Sequence, residues 1–170
     1  MPVGGSAFGH RVTGGRPDRE GAAEPGQNDE MELTTALAWA ANRHNAALIT
    51  IRSDGRPQSS DISYVVDGDS FVISVTHDRA KTRNMMRDPR VVLHVSEPSA
   101  WSYISFDGTV DLSPVAASPD DETNERLVAY YRAVAGREHP DWAEYRQAMI
   151  DDGRLVVTFT PTSAVGQING

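Results

Sequence analysis

Residues 46 to 76 read AALITIR, SDGRP, QSSDISYVV, DGDS and FVISVT in succession. Two Asp-Gly pairs, Asp54-Gly55 and Asp67-Gly68, each sit between alternating runs rich in β-branched residues. Asp-Gly supplies the positive-φ backbone that a tight hairpin needs, and alternation is the mark of a strand with one buried face. The spacing predicts a three-stranded antiparallel meander, and everything else in the chain has to be arranged around it.

The flanking segments complete that sheet. NDEMELTTALAWAANRHN carries Leu33, Leu37, Ala40 and Ala41 at helical spacing, with Asn28 or Asp29 as the expected cap. DRAKTRNMMRD predicts a short helix stopped at Asp88-Pro89, since a residue before proline avoids the helical region. RVVLHVSE and WSYISFDGTVDLS are two further strands, the second with a bend or bulge at Gly108. SPDDETNERLVAYYRAVAG starts with Ser118 as cap and Pro119 in first helical position, and Gly136 ends it. HPDWAEYRQAMIDDG is another helix, RLVVTFTP the last clear strand, and SAVGQING a segment that pairs briefly. Six strands with hairpin connections and peripheral helices predict class α+β, with one antiparallel barrel or sheet. No βαβ alternation and no G-x-G-x-x-G supports a Rossmann fold.

Residues 1–28 are rich in Gly, Pro and charge. Too little apolar surface is available there to offset ordering entropy, so they are expected as a disordered tail before one domain over 29–170. A formal net charge of −8 disfavours nonspecific nucleic-acid binding. The absence of cysteine excludes disulfides, thiolate nucleophiles and Cys-ligated metals. Neither a membrane-length apolar run nor a secretory h-region is read, so the expected location is the cytoplasm.

Chemistry concentrates in HDRAKTRNMMRDPR, residues 77 to 90. Lys81 is the only lysine of the chain, beside fifteen arginines. From Arg79 to Arg90 five cations face one acid, a local +4 on an acidic chain. Asp78 is the expected cap, and Lys81 and Asn84 share a helix face. A helix start, a guanidinium fork, a point charge and an amide suit a phosphate. A solvated basic helix face fits the same spacing, and both readings stay open on residues alone.

Other candidates are less pointed. Ser59, Ser60, Asp61 and Ser63 make a central strand unusually polar, as a strand lining a cleft would be, or one with a solvent-facing side. Trp101 and Tyr103 open a strand, where an aromatic can cover a flat ring or pack in a core or dimer contact. His10, His44, His77, His94 and His139 show no metal-ligand spacing, so no metal is expected. No G-x-S-x-G supports a hydrolase.

The run from Ala47 to Val95, with RAKTRN, RDPR, WSY, GT and the segment 118–149, resembles the split β-barrel flavin- and deazaflavin-binding proteins related to pyridoxamine 5'-phosphate oxidase. It is most similar to the coenzyme F420-dependent branch, from about residue 32 onward. The resemblance implies a homodimer of split barrels with two cofactor clefts at the interface. It implies Arg79, Lys81 and Asn84 on the cofactor phosphate, and Ser60, Asp61 and Thr76 along the cleft. It further implies Trp101 and Tyr103 approaching from the partner, with Tyr103 a candidate proton donor. The implied activity is hydride transfer from reduced coenzyme F420 to a small organic acceptor. An FMN-dependent enzyme and a non-catalytic cofactor-binding protein are the alternatives.

Overall fold

The computed structural model describes residues 30–169. The expected tail and the cap at Asn28 or Asp29 lie outside them. Among the described residues the order is α1 (Leu33–Ala40), β1 (Asn45–Ile51), β2 (Pro57–Asp67), β3 (Ser70–Thr76), α2 (Ala80–Arg87), β4 (Arg90–Glu97), a 3-10 turn (Pro98–Ala100), β5 (Ser102–Leu112), α3 (Glu122–Ala135), α4 (Trp142–Asp151) and β6 (Arg154–Gln167). The six strands close into one antiparallel barrel in the order β1-β2-β3-β6-β5-β4. The meander read from the two Asp-Gly turns is β1-β2-β3. Among the described residues no helix is long and apolar enough to cross a membrane.

Alternate residues of each strand fill the interior. Leu48, Tyr64, Phe71, Ile73, Leu93, Ile104, Phe106, Leu155, Val157 and Phe159 are buried there. Phe71 is the hub, with edge-on Tyr64 at 5.2 Å and Phe106 at 4.9 Å between ring centroids. The buried Tyr64 hydroxyl donates to Ala40 O at 2.9 Å, which fastens α1 over one end. On the outside, α3 and α4 cover β2, β3 and β6 through Leu127 and Met149 against Val65, Val72 and Val156.

Three helix starts differ from the sequence expectation, each for a local reason. The backbone at Glu30 and Met31 is extended because it pairs with Val165 and Ala164 of β6, so α1 begins at Leu33 without a side-chain cap. Asp78 accepts the Thr76 hydroxyl at 2.8 Å instead of capping α2, and the cap position falls to Arg79. Asp121, rather than Ser118, caps α3. Its carboxylate accepts N–H groups of Asn124 and Ala117, each at 2.7 Å, and of Ser118 at 2.9 Å, more than a hydroxyl can satisfy. Gly108 does mark a bulge. The β5–β6 register shifts between Asp107 and Gly108, and a Cβ there would lie 2.2 Å from Thr160 O. The C-terminal segment, expected to pair briefly, continues β6 to Gln167.

Candidate functional site

The barrel is split between β2 and β3. Their shared register ends where Tyr64 faces Ile73. Pro57–Ser63 pair with β1, whereas Ser74–Thr76 pair with β6. The two strands splay, and α2, which follows β3 after a three-residue turn, lies across the gap. The buried Thr82 hydroxyl donates to Thr76 O at 2.8 Å and ties the helix to the strand end. A cleft of about 470 Å³ opens there, within the usual size of small-molecule sites.

Charge gives the cleft its character. Arg79 and Lys81 arrive from α2 and Arg154 from β6, where it pairs with Thr76. Arg154 is partly satisfied by Asp152 at 3.4 Å and by the Ser74 hydroxyl at 3.4 Å. Among the described residues no carboxylate lies within 4 Å of Arg79 or Lys81. Burial holds the Lys81 ammonium below its ordinary pKa, and Arg79 and Arg154 push the same way against Asp61. The first turn of α2 has no side-chain cap, and its Arg79, Ala80 and Lys81 line the cleft, so the positive helix end adjoins it. Gln58, Ser60, Ser74 and Thr76 line the remaining wall. Converging cations with an uncapped helix start are suited to accept an anion, and the donor set fits a phosphate.

Of the residues singled out in the sequence, the structure gathers Ser60, Thr76, Arg79 and Lys81 in this cleft. Asn84 lies just beneath it, 6% exposed and bonded to Thr50 and Gln58. Asp61 follows Ser60 and so points to the opposite face of β2. There it lines a second recess, of about 520 Å³, with Asn45, Ala47, Ser63, His94 and Ser96. The Tyr103 ring stacks 5.7 Å from His94, whose Nδ1 lies 2.8 Å from the Ser105 hydroxyl. Trp101 is 81% exposed with a left-handed backbone, its carbonyl held by Gln167 and Asn169. Within one chain, Asp61, Trp101 and Tyr103 are outside the cleft. Gln58, Ser74 and Arg154 belong to it and were not singled out. Two-residue periodicity beside Ser60 would have exposed Gln58; Ser74 and Arg154 depend on strand neighbours that no local motif reveals.

The family model of pyridoxamine 5'-phosphate oxidase matches residues 33–166. The chain belongs to that family. Among solved structures, an F420 reductase is 25% identical with a TM-score of 0.53, over 71% of this chain and 88% of the other. A conserved hypothetical protein from Mycobacterium tuberculosis is 18% identical with a TM-score of 0.66, over 86% and 90%. A haem storage protein from Vibrio cholerae, 17% identical with a TM-score of 0.58 over 82% and 98%, shares the fold. Family membership thus assigns the barrel to an oxidoreductase scaffold whose split, in this chain, is lined by Arg79, Lys81 and Arg154.

Proposed function

We propose that the chain is an oxidoreductase that binds reduced coenzyme F420 and passes a hydride to a small organic acceptor. One observation carries the reading: Arg79 and Lys81 stand beside an uncapped helix start in the split of the barrel, with no carboxylate ion-paired to either among the described residues. The 25% identity to an F420 reductase supports the deazaflavin over a flavin. When bound, the deazaflavin supplies the hydride.

The chain's own work is to hold, orient and shield. Arg79, Lys81 and the first turn of α2 hold the phosphate. Ser60 and Thr76 offer hydroxyls along the adjoining wall. In a homodimer, Trp101 and Tyr103 of the second copy approach the ring end of the cofactor and exclude water, with the Tyr103 hydroxyl in reach of a proton transfer. Arg56 and Arg87 could draw an acidic cofactor tail only through the local field, since Arg56 is paired with Asp54 at 2.6 Å and Arg87 is bonded to Ile51 O and Asn84 Oδ1.

Fluorescence titration of the purified protein with coenzyme F420 and, separately, FMN tests the reading. Micromolar or tighter F420 binding, weaker FMN binding and loss of both in the Arg79→Ala/Lys81→Ala double variant are expected. Tighter FMN binding transfers the reading to a flavin enzyme. Unchanged affinity in the double variant removes the phosphate assignment. Tight binding with no acceptor able to oxidise the reduced cofactor makes the chain a binding protein.

A further inference from the structure

Both amide hydrogens of Asn84 are used, and its carbonyl oxygen accepts one bond. Its Nδ2 donates to Thr50 Oγ1 at 3.0 Å and to Gln58 Oε1 at 3.1 Å, and its Oδ1 accepts from Arg87 Nη2 at 3.2 Å. The polarity of this chain of side chains is fixed from one end. A guanidinium only donates, so the Asn84 atom facing Arg87 is the oxygen. The amide nitrogen must then face Thr50 and Gln58. An NH2 group also only donates, so the Gln58 atom facing it is Oε1. The Gln58 NH2 is left on the other side. Among the described residues no acceptor takes its hydrogens, and Gln58 lines the cleft with Ser60, Arg79 and Lys81.

We propose that Gln58 is a further ligand-binding residue, its Nε2 donating to an acceptor oxygen of the bound cofactor, with Asn84 and Arg87 as the positioning residues that turn it. The assignment rests on the cofactor reading above. Its chemical sense is the match of sign: the cleft is built for an anion, whose oxygens only accept. A glutamine turned the other way would aim its carbonyl at those oxygens and repel them. Arg87, which is outside the cleft lining, thereby sets the polarity of a group inside it.

The test is a set of fluorescence titrations with coenzyme F420 and with FMN, alongside thermal melts of each variant. Gln58→Glu keeps an oxygen for Asn84 and brings a second, acceptor-only oxygen to the cleft. Its affinity is expected to fall about tenfold or more with the melt little changed. Gln58→Ala and Asn84→Ala form a double-mutant cycle. Asn84→Ala should weaken binding a few-fold while Gln58 is present and have no further effect once Gln58 is alanine. Equal losses in both backgrounds, or wild-type affinity in Gln58→Glu, overturn the proposal. Should Asn84→Ala fail to fold, Gln58→Glu decides alone. Wild-type protein that binds neither cofactor overturns the cofactor reading and this one with it; wild-type binding with an indifferent Gln58→Glu overturns this one only.

Discussion

Lys81 stands where two guanidinium groups already crowd. Burial lowers its pKa from 10.5, and Arg79 and Arg154 lower it further. A phosphate in the cleft reverses that field and returns the ammonium towards its ordinary range. Bound and free forms then differ in protonation over a window above the depressed pKa. Within that window binding takes up a proton, so affinity falls as pH rises through the free-state value; below it, affinity is flat. Kd measured from neutral pH upward should show this bend. Lys81→Arg should remove it, because a guanidinium stays charged. The same variant should bind a few-fold more weakly at neutral pH, since a planar fork is wider than a point charge in a site where backbone N–H groups already approach the anion. A bend that persists in Lys81→Arg places the titrating group elsewhere. Arg79 and Lys81 were legible in the sequence because their partners are local: a helix start and each other. Arg154 was not, because its place depends on β6 lying beside β3. Nor was the burial of Asn84, whose spacing to Lys81 gives a shared face without saying that one end of that face is under the barrel rim.

At the scale of elements, the cleft depends on how α2 is held between two strand ends. One support is the turn into β6. Gly153 has φ +62, and its carbonyl accepts the His77 backbone N–H at 3.0 Å. A Cβ at Gly153 would lie 2.3 Å from His77 Nδ1. Gly153→Ala should therefore cost about 2–3 kcal/mol in urea unfolding, from left-handed strain and the clash together. The His77→Ala/Gly153→Ala double variant should recover the clash portion and retain about 1 kcal/mol of strain. No recovery would mean that the ring is not what the new methyl meets. The start of α3, on the outer face of the barrel, is fixed by its own cap. Burial raises the Asp121 carboxyl, but the hydrogen bonds from Ala117, Asn124 and Ser118 outweigh it and leave the pKa below 3.8. Its stabilisation is complete above the unfolded pKa and disappears as pH falls through the folded one. Asp121→Ala should cost about 1–2 kcal/mol at neutral pH, and the gap to wild type should narrow in acid unfolding below pH 3.8. The strands themselves were legible because hairpin turns and period-two burial are local signals. Helix starts were shifted because Asp78 is taken by the Thr76 hydroxyl and Asp121 displaces Ser118 as a cap, neither of which spacing shows.

The whole molecule leaves one set of residues unexplained by a single chain. Asp61, His94 and Tyr103 line or border a recess on the outer barrel wall, and the Trp101 ring stands 81% exposed nearby in sequence, on a backbone fixed by Gln167 and Asn169. A large ring left in solvent gains nothing from folding alone, since its apolar surface stays in water. For two of these residues the resemblance implies a reason that no residue pattern could: Trp101 and Tyr103 would approach a cleft in a second copy. The strands left an antiparallel barrel or sheet open, because closure depends on the nonlocal β3–β6 and β1–β4 pairings, and the outer wall is assembled from β1, β2, β4 and β5 together. A homodimer gives a definite expectation. Sedimentation at micromolar concentration should show a species of twice 18.5 kDa. Trp101→Ala should leave the thermal midpoint of the fold within about 1 °C, because the side chain is barely packed within its own chain. It should nevertheless weaken cofactor binding about tenfold, the cost of removing an aromatic ring that the second copy lays against the cofactor. Dilution should weaken wild-type binding in step with dimer dissociation. A monomer that binds the cofactor with wild-type affinity at every concentration, and indifferently to Trp101→Ala, would confine the site to the split between β2 and β3 of one chain.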